Sequence, residues 1–164
     1  MRKISFAIIS ILFFANSFGQ KIYKNIEGFT HPVDIKKRLS IYSNPNIYLK
    51  ELKADVETGW MVEVKQKKDN YFQIDIKDLK LYNVWIHLGD IGIVVQNYDS
   101  IAIPVYLAPN TNSIVSKYIF KSCVGLIYDV TGDFFLLQII QDNQYTFGWI
   151  ERKYLCSNPY TTCS

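Results

Sequence analysis

The amino-acid sequence predicts an all-β protein made of two small tandem domains that pack on each other, with little helix. Three observations predict this fold class. One pattern of residues occurs twice, about 64 positions apart. Several segments alternate apolar and polar residues with the two-residue period of a half-buried strand. No stretch of ten or more residues carries the apolar stripe of an amphipathic helix.

The composition is that of a folded protein with ample material for a core. The chain of 164 residues is 49% hydrophobic and 15% aromatic, and its charged residues, 20%, are of both signs. These values exclude a disordered, collagen-like or coiled-coil chain. Without Arg2 and Lys3 of the N-terminal segment, the 18 basic residues become 16, against 15 acidic ones. Such a balance gives no reason to expect nucleic acid or an anionic membrane as a partner.

The first 19 residues have the pattern of a cleaved secretory signal peptide. A basic start is followed by an apolar run, and the small residues Ser17 and Gly19 stand just before a cut ahead of Gln20. The apolar run is too short to span a bilayer, because a spanning helix needs about 20 apolar residues. No other segment reaches that length. We therefore expect residues 1–19 to be removed and the mature chain to be soluble in the periplasm or outside the cell.

The first copy of the repeat begins at residues 41–46. An alternating strand over 60–65 follows, and the turn residues Asp69-Asn70 lead into a second alternating strand over 71–76. The copy continues to residues 84–86, Val-Trp-Ile. Residues 51–56 fit a short helical turn about as well as a loop.

The second copy repeats these segments in the same order. Residues 105–110 follow the first opening by 64 positions, 134–137 follow 71–74 by 63, and 148–150 follow 84–86 by 64. Alternation places Phe135, Leu137 and Ile139 on one face of their strand, towards the core. The period is longer than that of solenoid repeats, which indicates two duplicated domains. The chain between the copies contains the apolar run 91–95, so we expect it to end the first domain or to pack between the two.

The motifs of the second copy are Val105-Tyr106 with Pro109, the apolar strand 124–128, the aromatic pair 134–135 and Gly148-Trp149-Ile150. They resemble the pattern of bacterial SH3-like (SH3b) domains. The first copy supplies the same motifs over 39–86, with Val84 where the family has glycine. The resemblance covers roughly residues 34–160. It implies two tandem SH3-like β-barrels, over 20–98 and 99–164, and the C-terminal tail is similar to those of secreted SH3-like proteins of Bacteroidetes-type bacteria.

The cysteines suit an oxidising compartment. Cys156 and Cys163 enclose six residues that include the turn signal Asn158-Pro159. A disulfide there would contribute roughly 2–3 kcal/mol by the loop-entropy estimate. Cys123 lies in an apolar strand. Three cysteines allow three single pairings, of which we favour Cys156 with Cys163.

The sequence predicts no enzyme. A catalytic thiol needs a nearby base, but Cys123 lies in the second copy while His87 belongs to the first, and His31 precedes Pro32 in a turn where we expect a solvated side chain. Carboxylate pairs of the glycosidase kind would have to come from acids at strand ends and turns, where we expect solvation: Asp75 with Asp78, and Asp129 with Asp133. There is no phosphate-binding loop, dinucleotide fingerprint or zinc-ligand spacing. We therefore expect no catalytic residues, no cofactor and no metal.

Aromatic residues remain as the candidate ligand contacts. In both copies, alternation leaves aromatic or polar side chains on the outer face of the predicted strands, where Tyr71 and Phe134 are expected to be exposed. They fit two readings, the contact between the two domains or a shallow peptide groove of the SH3 kind. The candidate ligand-binding residues are Tyr71, Gln73, Trp85, Phe134, Tyr145 and Trp149.

Two hypotheses for function follow. The first is a secreted, non-enzymatic binding module for peptidoglycan, its stem peptides or an envelope protein, in which two weak sites gain avidity on a repeating polymer. The alternative is an inhibitor or immunity protein that binds another secreted protein, such as a wall-degrading toxin. The oligomeric state is left open.

Overall fold

The computed structural model of the protein describes residues 21–31, 38–46, 51–97, 99–141 and 144–158. The described chain is all-β, which confirms the predicted class, and the helical elements within it are the 3-10 turns Lys77–Leu79 and Arg152–Tyr154. The predicted signal peptide and Cys163 lie outside the described residues. The strands are β1 Lys21–Thr30, β2 Leu39–Tyr42, β3 Leu52–Val56, β4 Met61–Lys68, β5 Tyr71–Ile76, β6 Leu81–His87, β7 Ile91–Val95, β8 Ile103–Tyr106, β9 Val115–Ile119, β10 Cys123–Thr131, β11 Phe134–Gln141, β12 Gln144–Glu151 and β13 Leu155–Cys156.

The strands form one antiparallel sheet whose order repeats the sequence duplication. The order is β3-β2-β6-β5-β4-β1-β7-β10-β11-β12-β8-β9, with β13 paired to β7. Strands β2 to β6 of the first half therefore have counterparts in β8 to β12 of the second, in mirrored positions along the sheet. Within the described ranges the terminal strands β3 and β9 each pair on one side, so the sheet is open. The two closed barrels remain a prediction.

Strand β7 joins the two halves. One of its edges pairs with β10, with Ile93 opposite Gly125. The other edge pairs first with β1, where Gly92 lies opposite Phe29, and then with β13, where Val95 lies opposite Leu155. The apolar run 91–95 is therefore a central strand with partners in both halves.

Two expectations about local structure are corrected. Residues 51–56, which fitted a helical turn or a loop, contain the edge strand β3 paired to β2. Asp129, expected to be solvated at a turn, is held by groups from the first half. Its carboxylate accepts hydrogen bonds from Lys21 Nζ and Tyr23 Oη, both at 2.8 Å, and Lys67 Nζ lies 3.4 Å away. Because β1 and β4 carry these donors, the network ties the first half to β10.

The core extends through both halves. The predicted inward residues of β11, Phe135, Leu137 and Ile139, are 2%, 0% and 2% exposed. In the first half the corresponding side chains of β5, Phe72 and Ile74, are fully buried. All belong to one cluster of buried side chains, and full burial of each is worth about 1.5–3 kcal/mol. Within the described part of the chain, no helix has the length and hydrophobicity to cross a membrane.

Candidate ligand-binding surface

Aromatic rings occupy equivalent positions on the outer faces of the two halves. In the first half the rings of Tyr42 and Tyr71 lie 6.0 Å apart with an interplanar angle of 89°. In the second half Tyr106 and Phe134 lie 5.9 Å apart at 79°. These positions are related by 64 and 63 residues. Both halves therefore carry an edge-to-face ring pair at matching positions, the geometry that aromatic rings favour.

In the first half the outer face is a closed aromatic cluster. Tyr71 lies opposite His87 on the neighbouring strand, with ring centroids 4.2 Å apart, and His87 lies 5.8 Å from Tyr42. Trp85 is in register with both Tyr42 and Gln73. The structure therefore brings together all three predicted residues of this half.

The predicted exposure of Tyr71 is wrong. Its side chain is 8% exposed and that of Trp85 is 7% exposed, because Tyr42 and His87 cover Tyr71. Neither covering residue was predicted from the sequence, although Tyr42 stands in the repeated opening and His87 stands two residues after Trp85. Gln73 is half-buried; it accepts a hydrogen bond from Gln66 Nε2 at 2.6 Å.

In the second half the aromatic pair is more open and has charged neighbours. Trp149 is in register with Tyr106, and Phe134 is in register with Glu151. Both Phe134 and Trp149 are half-buried. The carboxylate of Glu151 lies 2.9 Å from Lys153 Nζ, which places an ion pair at the edge of the rings.

The hydroxyl of Tyr106 is a hydrogen-bond donor at this edge. Burial and then the charge of Glu151 raise the pKa of Tyr106, so the phenol stays protonated at neutral pH. The ammonium of Lys153 acts in the opposite direction and also lies 4.9 Å from the ring centroid of Tyr154. The site thus offers apolar rings, a phenol and charges of both signs.

Strand β12 carries two exposed aromatic rings beside Trp149. Tyr145 is 62% exposed and Phe147 is 50% exposed, and both alternate onto the same face as Trp149. Phe147 lies 5.1 Å from Tyr128. Phe147 was not among the predicted residues, although the two-residue period of β12 places it on the same face as Tyr145 and Trp149. We call Tyr106, Phe134, Tyr145, Phe147 and Trp149 the aromatic surface.

The aromatic surface stands apart from the strand pairs that join the halves. Those pairs are β7–β10 and β7–β13, whereas Phe134, Tyr145 and Trp149 lie on β11 and β12. The ring partner of Phe134 belongs to its own half. The side chains of Phe134, Tyr145 and Trp149 therefore lie outside the strand pairing between the halves.

Nucleophilic chemistry has little support from the one free thiol of the described residues. Burial raises the pKa of Cys123 to about 11, although Lys117 acts to lower it, so the thiol is protonated at neutral pH. Cys156 is buried, and its predicted disulfide partner Cys163 lies outside the described residues. In the ranges that the structure describes, no three His, Cys, Asp or Glu side chains are grouped to hold a metal ion.

Comparison with known proteins gives one distant neighbour. No family model matches the chain, and no curated protein matches it. Among solved structures the chain is similar to NlpC2 from Trichomonas vaginalis, with 16% identity and a TM-score of 0.32 over 85% of this chain and 48% of that one. The chain thus spans about half the length of that protein. A likeness at this TM-score carries no argument about fold or function.

Proposed function

We propose that this protein is a secreted, non-enzymatic binding module of two tandem SH3-like domains that binds peptidoglycan through its stem peptides. The ligand would lie on the aromatic surface. The observation that carries the proposal is the edge-to-face aromatic pair at matching positions of both halves, continued in the second half by two exposed rings.

The repeated strand order supports the tandem SH3-like reading. Each half has a five-stranded unit of the same connectivity. In the second half the 3-10 turn after β12 leads to β13, which pairs with β7; in the first half β6 leads to β7, which pairs with β1. Residues 91 and 155, where β7 and β13 begin, are 64 apart. On this reading β7 closes the first unit and opens the second.

Exposure of large rings supports a binding role for the aromatic surface. Contiguous exposed apolar residues on a small protein mark interaction sites more often than isolated ones do. Phenol and indole groups suit a shallow, half-wet groove, because one end is apolar and the other end is polar. Because Tyr71 and Trp85 are only 8% and 7% exposed, the proposed site is confined to the second half.

The test is cosedimentation of purified residues 20–164 with insoluble peptidoglycan sacculi at low and moderate salt. We expect pelleting that persists at moderate salt, because ring stacking is screened less by ions than surface charge attraction. Phe134→Ala combined with Trp149→Ala is expected to weaken binding by about tenfold or more, as for central aromatic contacts of about 2 kcal/mol. Tyr82→Ala, which removes a 54% exposed ring from the first half, is the matched control.

Tyr145→Ala separates a loss of binding from a loss of the fold, because this side chain is 62% exposed and its removal should not disturb the core. It should weaken pelleting while its thermal melt matches that of the wild type. Wild-type protein that stays in the supernatant would contradict the proposal and would direct the search to an envelope protein partner.

A further inference from the structure

Strand β1 contains a bulge that opens a trench between the two halves. Ile22 lies opposite Gln66 and Ile26 lies opposite Val64, so three residues of β1 face one residue of β4. Within the bulge Asn25 has a φ of 54°, in the left-handed region that asparagine tolerates. Beside the bulge lies the turn between β10 and β11, and the two enclose a cavity of about 410 Å³.

Arg152 stands between this trench and a second cavity. It lines the trench and also a cavity of about 160 Å³ that includes Ile93 and Phe135. Its Nη2 donates a hydrogen bond to the carbonyl of Asn25 at 3.3 Å, and its Cζ lies 5.6 Å from the ring centroid of Phe135. The guanidinium is therefore held in place by one backbone contact and one ring.

The trench carries positive charge that the fold leaves unpaired. Its Lys21 is bonded to Asp129, but within the described residues neither Lys24 nor Arg152 forms an ion pair. Asp133, also on the lining, is the remaining unpaired charge. The unpaired charges sum to +1. The lining also includes an apolar side chain, that of Ile22, which is 73% exposed.

We propose that this trench binds an acidic peptide segment, with a carboxylate on Arg152 and Lys24 and an apolar side chain against Ile22. A guanidinium presents two parallel donors that match a carboxylate. A guanidinium that already lies over a ring loses less rotational freedom on binding than a free one. The apolar wall of Ile22 favours a peptide over an inorganic anion.

This site is independent of the aromatic surface. Glu151 lies opposite Phe134 on the outer face, whereas the next residue, Arg152, lies over the core residue Phe135. The trench also needs both halves, because β1 supplies one wall and the β10–β11 turn supplies the other.

The test is a titration of ¹⁵N-labelled residues 20–164, followed by backbone and arginine side-chain NMR signals. The probe is the blocked tetrapeptide acetyl-Glu-Leu-Glu-Leu-amide, and its glutamine analogue is the control peptide. We expect saturable shifts at Asn25, Gly132 and Arg152 with the acidic probe alone. Arg152→Gln should weaken binding about tenfold, the effect of one charge-assisted hydrogen bond.

Lys121→Gln is the matched control, since it removes one positive charge from an exposed residue outside the trench. It should leave the affinity unchanged. Lys24→Gln gives a second variant that removes no hydrogen bond or ion pair of the described residues, and it should weaken binding about threefold through the lost attraction of an exposed charge. Equal losses in Lys121→Gln and Arg152→Gln, shifts confined to the aromatic surface, or the absence of shifts with the acidic probe would each overturn the proposal.

Discussion

Single residues show how the fold uses charge, and Asp129 is the clearest case. Burial alone would raise the pKa of its carboxyl, but hydrogen bonds from Lys21 and Tyr23 and the charge of Lys67 lower it below the usual value. Burial and the same carboxylate raise the pKa of Tyr23, so the phenol remains a donor. One ionised carboxylate therefore holds two lysines and a tyrosine of the first half against the second.

Asp129→Asn should destabilise the protein by about 1–2 kcal/mol at pH 7, the cost of losing hydrogen bonds to a charged group that is partly exposed. A lowered folded pKa gives stability that is present above the unfolded value, about 3.9, and is lost as the pH falls through the folded value. The difference between mutant and wild type should therefore shrink below about pH 4. Urea unfolding of both proteins at pH 7 and at pH 3 measures this difference in the free energy of unfolding. Asp69→Asn, at an exposed hairpin turn, is the control, and a difference independent of pH would refute this account.

Asp90 shows the opposite behaviour. Burial raises the pKa of its carboxyl to about 6, and within the described residues the hydrogen bonds of Asp90 are made by its backbone. A raised folded pKa means that folding loses stability as the pH rises from about 3.9 towards 6, because ionisation is easier in the unfolded chain.

Asp90→Asn should accordingly stabilise the protein at pH 8 by about 1 kcal/mol and have little effect at pH 4. One pKa unit corresponds to about 1.4 kcal/mol, and contact of the half-buried side chain with water reduces the full effect. Thermal melts of both proteins at the two pH values test this. Stabilisation of the same size at pH 4 would show that the asparagine acts through packing instead.

At the scale of elements, strands that keep a two-residue period over several positions could be predicted from sequence, even where their pairing contains a bulge, as in β4 and β5. The inward residues Phe135, Leu137 and Ile139 followed from alternation, because β11 is regular against β12. Strand β1 escaped prediction because its bulge between Ile22 and Ile26 breaks the period. The candidate site was predicted in part: ring positions followed from the repeat, but the cover that Tyr42 and His87 provide depends on cross-strand register, which a local pattern does not contain.

Gly148 marks a close approach between strands β12 and β8. A Cβ there would overlap Val105 Cγ1 and would lie 3.0 Å from the carbonyl oxygen of Tyr106. Gly148→Ala should therefore cost about 1–3 kcal/mol through overpacking, seen as a lower midpoint in denaturant. Gly132→Asn is the control, because nothing lies within 4 Å of a Cβ there and its φ is +56°, which asparagine tolerates. An unchanged midpoint for Gly148→Ala would mean that β8 shifts freely against β12.

At the scale of the whole molecule, the halves repeat each other in topology but share their central elements. Strand β7 has partners in both halves, and the carboxylate of Asp129 collects donors from β1 and β4. The proposed peptide trench also spans this junction. The two halves are thus similar in strand order and are stabilised at a common seam.

The fragment 20–98 should consequently lack a sharp cooperative melt. It keeps β7 but loses β10 and β13, the partners of residues 92–95, and it loses Asp129 as the acceptor for Lys21 and Tyr23. A unit of about 60–80 residues buries only about 60% of its unfolded surface, which leaves little margin for such losses. Circular dichroism melts of the fragment and of residues 20–164 make the comparison, and the full chain should give a single steep transition. Mixing the fragment with residues 99–164 is the control for the seam: because the missing partners return, cooperativity should reappear in the mixture. A steep melt from 20–98 alone would instead show that the first half is stable without the seam.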